Sequence, residues 1–441
     1  MHMATGLRLT AWVGLLALGS WAFLGCQEDF IVTLDGDLVP IDAVTVEVGI
    51  PFHEFAGDLE GWGGYGRPYE LARPILARQF EGNLDSRLLN SWFPYPVSAL
   101  VRDSAGAFVT DSTLTFVKGR IVARFDTLTS IMGDSVTLAV SVLPRDWDFG
   151  TATWDVAVDS VGDRQEWAEP GGGPGTPVAT AVWDPSVSDS VVFEIDSASL
   201  GFWADSAQAK KGVRVDVVTE GTRLDMVNLV YLLSTRPSSH PDTIVELGVG
   251  SETRTFIYRP AVEAPGEEIR VGGVPAWRTL FTMDLPDVLN GPAELCEQVQ
   301  CPLTLTPESV VSASLVLTTR APPPGFQPRD SLYLDVRPVL EPSRLPKSPL
   351  GSSLVGALGV VLTPADFGEE VGAEIEVPLG GYVQGLIAQK TNPELEFPHT
   401  LALLSSFEPL SLYFAAFEGP DSPMGPELRL ILTFTEDVRI R

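Results

Sequence analysis

The sequence predicts an all-β fold, built from two tandem antiparallel β-sandwich domains of jelly-roll type. Three observations predict it. Apolar and polar residues alternate in several segments, which is the period of a half-buried strand. Gly, Pro, Asp and Ser interrupt the chain at short intervals, as in sandwiches and barrels. No long stretch combines a helical period with capping residues.

The composition sets the class of the protein. The chain has 441 residues, of which 44% are hydrophobic, and it contains 41 Gly and 36 Pro. These values exclude a disordered chain, a collagen and a long coiled coil. The apolar residues are numerous enough to form two large hydrophobic cores. Acids outnumber bases 58 to 29, so the net charge is −29. Because phosphate backbones recruit Lys and Arg, we expect no nucleic-acid partner.

The N-terminus has the pattern of a secretory signal. Arg8 precedes an apolar run from Ala11 to Leu24. The run is shorter than the roughly 20 residues that a membrane-spanning helix needs. A short positive region followed by such a run is typical of a cleaved signal peptide. We therefore assign residues 1–25 to a signal peptide and residues 26–41 to a tether.

The end of this run resembles the lipobox of bacterial lipoproteins. In Phe23-Leu24-Gly25-Cys26 a small residue precedes a cysteine, although the family favours Leu at position 23 and Ala or Ser at position 24. The resemblance implies that Cys26 carries lipid and anchors the protein to a membrane. Gln27 differs from the Asp that retains some lipoproteins in the inner membrane. We therefore expect the outer membrane, on its periplasmic or its outer face; the alternative is an ordinary signal peptide.

Two halves of the chain share their strand pattern. Residues 134–143 and 330–339 alternate in the same register, so the same face is apolar in both. Further matches are 75–80 with 278–283, 121–125 with 313–317, 193–195 with 375–377, and Leu229 and Tyr231 with Leu412 and Phe414. A duplication with modules at 42–248 and 251–441 explains these matches. The alternative is that two β-rich halves align by chance.

Several segments are similar to DNRLRE-type modules, which are bacterial cell-surface β-sandwiches. Trp147-Asp148-Phe149-Gly150-Thr151-Ala152-Thr153-Trp154 resembles the W-x-E…T-W stretch of that family. Residues 77–80, 192–196 and 426–430 resemble its strands. The resemblance implies the sandwich fold and, as in some members, carbohydrate binding. The second module has no W…TW stretch, so a shared binding site is not implied for it.

The cysteines indicate an oxidising compartment. If Cys26 is lipidated, Cys296 and Cys301 remain as a pair separated by four residues. Outside the cytoplasm such a pair predicts a disulfide that closes a small loop. The alternative is a metal site, but neither a His nor a second Cys pair lies nearby in the sequence.

The sequence contains few candidates for catalysis. It has no zincin helix, nucleophile elbow, Walker A loop or dinucleotide fingerprint, so we expect a non-enzymatic protein without a required cofactor. Two acidic pairs are candidate Ca²⁺ ligands, Asp146 with Asp148 and Asp35 with Asp37, although neither has the EF-hand pattern.

Aromatic residues beside Gly and Pro are the best candidates for ligand contact. Loops lie on the surface, and an exposed flat ring can stack on the C–H face of a sugar. The candidates are Trp62, Tyr65, Tyr69, Trp92 and Trp167. The alternative is packing, which we expect for Trp147, Trp154 and Trp203 in the core and its corners.

The expected function follows from these features. We expect a lipid-anchored, non-enzymatic protein of the cell envelope that binds polysaccharide or protein partners through its β-sandwich modules. One alternative is a structural subunit of an envelope or surface assembly, joined through exposed sheet edges. A glycan hydrolase is a third possibility that the sequence favours least.

Overall fold

The computed structural model describes residues 43–263, 265–290, 296, 301–368, 372–408 and 411–435. The predicted signal peptide, the tether with Cys26, and the pair Asp35 and Asp37 lie outside the described residues. Within these ranges, no helix is both long enough and apolar enough to cross a membrane.

Antiparallel sheets are the main regular structure of the described chain, which confirms the all-β sandwich prediction. The strands up to residue 249 are β1 (Ala43–Pro51), β2 (Ala56–Trp62), β3 (Ile75–Phe80), β4 (Leu84–Trp92), β5 (Ala99–Arg102), β6 (Phe108–Asp111), β7 (Leu114–Phe125), β8 (Val136–Val142), β9 (Val156–Ser160), β10 (Asp163–Glu166), β11 (Thr176–Trp183), β12 (Ser190–Ile195), β13 (Val213–Val217), β14 (Thr222–Pro237) and β15 (Val245–Val249).

The remaining strands and three α-helices follow here; five short 3-10 helices also occur in the described chain. The strands are β16 (Ser251–Arg259), β17 (Ile269–Gly272), β18 (Arg278–Met283), β19 (Val288–Leu289), β20 (Leu303–Thr304), β21 (Val310–Arg320), β22 (Leu332–Pro338), β23 (Val360–Leu362), β24 (Glu374–Pro378), β25 (Thr400–Ser405), β26 (Phe414–Phe417) and β27 (Glu427–Thr435). The helices are α1 (Phe52–Phe55), α2 (Ser206–Lys211) and α3 (Gly380–Thr391).

The first sandwich packs two sheets around one large core. One sheet has the order β11-β8-β13-β4-β3, and the other pairs β12, β7, β14 and β15. Strand β14 belongs to both, because its first residues pair with β3 and the rest with β7. Trp92, Trp203 and Tyr231 are fully buried between the sheets. Burial of these large rings contributes to the hydrophobic stabilisation of this half.

The predicted alternation is present in both halves. In β8 the apolar set Val136, Leu138 and Val140 is fully buried. In β22 the corresponding positions Leu332 and Leu334 are also buried, at 3% and 0% exposure. Because successive side chains of a strand point to opposite faces, one register places each set in a core.

The second sandwich has a similar strand order. One sheet has the order β1-β27-β21-β26-β17, with β24 paired to β21, and the other has the order β2-β18-β25-β22-β23. Strand β12 pairs with β7 in the first half, and β24 pairs with β21 in the second. Likewise β11 lies beside β8, and β23 beside β22. Of the segments matched in the sequence, β7 and β21 thus have corresponding partners, but β3 pairs with β4 and β14 whereas its proposed counterpart β18 pairs with β2 and β25. The duplication stays a prediction.

The sheets share strands across the boundary predicted between residues 248 and 251. Strands β1 and β2 pair with β27 and β18 of the second half, whereas β16 pairs with β4 of the first. A buried cluster also joins Phe80 and Phe256 to Phe326 and Phe414. Residues Thr45–Thr433 accordingly form one compact unit. Alternation predicts which face of a strand is buried, but it does not predict the sheet edge on which that strand pairs.

Helix α2, which precedes strand β13, is stabilised by the residues at its two ends. The Asp205 carboxylate accepts hydrogen bonds from the backbone N–H groups of Ala207 and Gln208, which satisfies the free donors at the helix start. Gly212 ends the helix with φ +66°, a conformation that favours glycine. Its carbonyl accepts a hydrogen bond from Trp203 Nε1 at 3.0 Å. The helix terminus is therefore tied directly to the core.

Candidate functional site

A cleft of about 360 Å³ lies between the loop after β2, the segment before β9, and β16. We call it the aromatic cleft; its lining includes Arg67, Gly150, Asp159, Phe256, Tyr258 and Val274. Ligand pockets in proteins span roughly 300–1,000 Å³, so this volume suits a small ligand or one part of a longer chain.

Glycines hold the loop after β2 close to the wall of the cleft. A Cβ on Gly63 would lie 2.5 Å from the Trp277 ring, so only glycine permits this approach. Gly64 has φ +90°, and its N–H donates to the Pro275 carbonyl at 2.8 Å. The loop therefore keeps a defined path beside Pro275, which also lines the cleft.

Two exposed rings belong to residues that adjoin the lining in sequence, Tyr69 next to Pro68 and Phe149 next to Gly150; we call this pair the rim of the aromatic cleft. The ring centroids of Tyr69 and Phe149 are 4.9 Å apart, and the rings meet edge to face at 74°. Tyr69 is 37% exposed and Phe149 is 41% exposed. Gly150 lines the cleft, and a Cβ there would lie 3.8 Å from Tyr69. Exposed rings next to a concave surface provide flat apolar faces for a ligand.

The cleft combines an apolar floor with polar groups at its edge. Phe256 and Val274 are buried, at 0% and 3% exposure. Burial raises the pKa of Tyr258 to about 12, so its hydroxyl stays neutral at physiological pH. Arg67 and Asp159 are exposed and provide a donor and an acceptor. Among the described residues that line the cleft, Asp159 is the single carboxylate.

A stacked tryptophan fixes the segment that carries Phe149. The guanidinium carbons of Arg87 and Arg259 lie 4.7 and 4.9 Å from the Trp154 ring centroid. Arg87 Nη1 also donates to the Gly171 carbonyl at 2.6 Å. Asp85 is 3% exposed and accepts from Arg259 Nε at 2.8 Å. These cation–π contacts and hydrogen bonds join the Trp147–Trp154 segment to the outer face of the sheet.

The structure places two of the predicted aromatic residues beside the cleft as anchors of its loop. Trp62 Nε1 donates to Glu60 at 2.9 Å, and the ring packs partly buried against the second sandwich. Tyr65 donates its hydroxyl hydrogen to the Pro346 carbonyl, and the guanidinium of Arg278 lies 3.8 Å from its ring centroid. Burial raises the Tyr65 pKa despite the opposing effect of Arg278. Of the predicted loop aromatics, Tyr69 is the one left exposed at the rim.

Two predicted ligand contacts are corrected. Trp92 is 0% exposed and lies 5.3 Å from Tyr231 in the main core. Trp167 is 5% exposed, and its Nε1 donates to the Thr153 carbonyl at 2.9 Å. Neither ring is accessible to a ligand. Neighbouring Pro and Gly residues suggested surface loops, but Trp92 ends strand β4 and points inward.

The other tryptophans have structural positions. Trp203 is fully buried in the main core, and Trp154 is 6% exposed, as expected from the sequence. Trp147 is half-buried, and its Nε1 donates to the Lys211 carbonyl at 2.9 Å. These residues seal the sandwich and its corners.

The predicted acidic pair does not form a cluster suited to a cation. Asp148 Oδ1 accepts from Gly150 N at 3.1 Å and from Thr151 Oγ1 at 2.9 Å, so this carboxylate stabilises a turn. Within the described ranges, no group of three or more His, Cys, Asp or Glu residues is placed to hold a metal ion. Cys296 and Cys301 are joined by a disulfide, the pairing that the sequence predicts.

Sequence reasoning did not single out several residues of the aromatic cleft. Phe149 lies within the Trp147–Trp154 segment, and its position between Asp148 and Gly150 is the sequence feature that could have indicated an exposed ring. Tyr258 and Val274 come from distant parts of the chain and had no such signal. Tyr258 reaches the cleft because β16 pairs with β4, which the sequence pattern did not predict, and Val274 reaches it from the turn between β17 and β18.

Comparison with known proteins leaves the family open. No protein-family model matches the chain, and no curated protein matches it. The resemblance to DNRLRE-type modules therefore stays a prediction. Solved structures with some similarity are those named BspA_C_WT and the C-terminal domain of the BspA AgI/II polypeptide of Streptococcus agalactiae. They are 9% identical and cover 90% of this chain and 90% and 89% of theirs, with TM-scores of 0.11 and 0.10. We draw the fold class from the sheets of the chain itself.

Proposed function

We propose that the protein is a lipid-anchored, non-enzymatic component of the cell envelope that binds polysaccharide in the aromatic cleft. One observation carries the proposal: Tyr69 and Phe149 lie exposed at the rim of a cleft of about 360 Å³ whose floor is apolar. Sugar rings have C–H faces that pack on aromatic surfaces and hydroxyls that need donors and acceptors. Arg67 and Asp159 at the edge provide both.

The carboxylates of the cleft favour binding over hydrolysis. Most glycosidases use two carboxyl groups roughly 5–9.5 Å apart, one as acid and one as base or nucleophile. Among the described lining residues Asp159 is the single carboxylate, and it pairs with Arg164 at 3.0 Å. A cleft of this kind can hold a sugar without cleaving it.

The lipid anchor and the outer-membrane location rest on Cys26 and the residues around it. Lipid on this cysteine would attach the acidic body to a membrane surface. We expect wild-type protein in the membrane fraction of the producing bacterium and Cys26→Ser in the soluble fraction. Equal partition of the two would contradict the anchor.

A glycan array on the full-length chain in detergent tests polysaccharide binding. We expect at least one glycan class to bind, and we expect Tyr69→Ala and Phe149→Ala each to weaken binding about 10-fold, because stacked aromatic contacts contribute roughly 0.5–1.5 kcal/mol beyond the apolar area they bury. Phe407→Ala is the matched control, since Phe407 forms a similar edge-to-face pair with Tyr333 at 5.2 Å. An array without signal, or equal losses in all three variants, would refute the proposal.

A separate observation favours a second function, the structural subunit of an assembly. Strands β5 and β6 form a two-stranded hairpin on which Leu100 is 63% exposed and Phe108 is 64% exposed. The Arg102 guanidinium lies 4.2 Å from the Phe108 ring centroid. Exposed apolar residues on a hairpin favour contact with a protein partner. If this function holds, Phe108→Glu should abolish self-association in sedimentation velocity and leave glycan binding unchanged.

A further inference from the structure

A second pocket, of about 290 Å³, lies where β14 meets the segments before β3 and before β26. We call it the Arg223 pocket; Arg73, Arg223, Asp225, Asp330, Ser411 and Tyr413 line it. It shares no lining residue with the aromatic cleft in the described chain. An inference about this pocket therefore does not rest on the function proposed for the cleft.

Arg223, which lines this pocket, has an unsatisfied guanidinium donor. The side chain is 2% exposed, and its Nη2 lies 3.2 Å from Asp225 Oδ1. Nη1 has no hydrogen-bond partner among the described residues. Leaving a charged donor both buried and unpaired is costly, so such a group normally meets a protein or ligand oxygen. An acceptor atom from outside the chain would satisfy it.

The charges of the pocket favour a neutral ligand. Arg223 pairs with Asp225 and Arg73 pairs with Asp126, so both arginines already have a carboxylate partner, and Asp330 adds one exposed carboxylate. A bound anion would meet two aspartates, and a bound cation would meet the buried guanidinium. Burial raises the pKa of Asp225, although the charge of Arg223 opposes the shift. A ligand that both donates and accepts hydrogen bonds without net charge fits this arrangement best.

The walls add a flat apolar surface and hydroxyl groups. Tyr413 is 8% exposed, and burial raises its pKa to about 12, so its hydroxyl remains protonated. The Ser411 hydroxyl donates to the Tyr413 carbonyl at 3.2 Å, which leaves its oxygen free to accept. Ile75 completes an apolar side. Donors, acceptors and an aromatic face therefore surround one small volume.

We propose that the Arg223 pocket binds a single neutral sugar ring. A ring or hydroxyl oxygen would accept from Arg223 Nη1, and a hydroxyl would donate to the exposed carboxylate of Asp330. The volume of about 290 Å³ lies just below the range of roughly 300–1,000 Å³ that is usual for ligand pockets, which suits one ring and not an oligosaccharide.

Isothermal titration of the full-length chain with neutral hexoses and N-acetylhexosamines tests the proposal. Glucuronate and glucosamine serve as an anionic and a cationic analogue of similar shape. We expect a neutral sugar to bind, and both charged analogues to bind at least 5-fold more weakly. Tyr69→Ala, in the aromatic cleft, should leave this binding unchanged, which separates the two sites.

Two variants locate the site. Arg223→Lys keeps the charge but removes Nη1, and we expect at least a 10-fold loss of affinity. Because Arg223 is buried, this variant needs a check of folding by circular dichroism. Asp330 is exposed, and Asn has nearly the same shape as Asp, so Asp330→Asn decides the result if Arg223→Lys does not fold. We expect Asp330→Asn to lower the affinity for the sugar about 5-fold. Asp421→Asn is the control at another exposed aspartate. Absence of binding by every neutral sugar, tighter binding of a charged analogue, or unchanged affinity in Asp330→Asn would overturn the proposal.

Discussion

Replacing Tyr95 with Phe should destabilise the first sandwich more than replacing Tyr231, although the two hydroxyls contact each other. The Tyr95 hydroxyl donates to the Leu200 carbonyl at 2.9 Å and lies 2.7 Å from the Tyr231 hydroxyl. Since its one hydrogen is used on Leu200, Tyr231 donates to Tyr95. Tyr95 is 8% exposed and Tyr231 is 0% exposed, so water cannot easily replace a lost partner.

The magnitudes follow from what each change leaves unpaired. Tyr95→Phe leaves the buried Tyr231 hydroxyl without a partner and removes the side-chain hydrogen bond to the Leu200 carbonyl, which lies in the 3-10 helix Ser199–Trp203. At about 1–3 kcal/mol for the unsatisfied hydroxyl and about 1 kcal/mol for the lost hydrogen bond, we expect a loss of about 2–4 kcal/mol of unfolding free energy. Tyr231→Phe removes its own hydroxyl and leaves the bond from Tyr95 to Leu200 intact, so the expected loss is about 1 kcal/mol.

Urea unfolding followed by tryptophan fluorescence measures the difference. Trp92 and Trp203 lie 5.3 and 5.5 Å from the Tyr231 ring, so their emission reports on this cluster. The double variant is the control: it no longer contains the unpaired Tyr231 hydroxyl and should therefore be more stable than Tyr95→Phe alone. The reasoning would be refuted if the two single variants lost equal unfolding free energy, or if the loss in the double variant equalled the sum of the two single losses.

Two further predictions concern a buried carboxylate and a glycine. Burial raises the Asp85 pKa, but hydrogen bonds from the Gln79 N–H and Arg259 outweigh it and hold the pKa below its usual range. Its stabilisation is thus present above about pH 4, the unfolded pKa, and lost as pH falls through the folded pKa. Asp85→Asn should therefore flatten the decline of Tm between pH 5 and 2; parallel curves would contradict this. Gly212→Ala would place a Cβ 1.9 Å from the Asn90 carbonyl oxygen, at φ +66°. We expect this variant to lose more than about 3 kcal/mol of unfolding free energy, measured with urea. Gly82→Ala is the control, because Gly82 has φ +87° but open surroundings, and we expect it to lose about 1–2 kcal/mol. Equal losses would contradict the steric argument.

Local sequence patterns predicted part of the candidate site. Tyr69 lies in a Gly- and Pro-rich loop and is exposed, as its neighbours indicated. The same signal was wrong for Trp92, because a strand can run directly into a Pro-rich turn and still bury its last side chain. An aromatic residue beside Pro is therefore a candidate for exposure, and its burial depends on the sheet that covers it.

The sequence alone determined the all-β class, the buried faces of β8 and β22, and the pairing of Cys296 with Cys301. These features depend on residues a few positions apart, so a linear pattern contains them. Tertiary structure decided that β16 joins the first half, that β1 and β2 join the second, and that the Arg223 donor lies unpaired in a pocket. These outcomes depend on contacts between residues more than a hundred positions apart. Such contacts produce no periodic pattern in the sequence, so their free energies cannot be read from it.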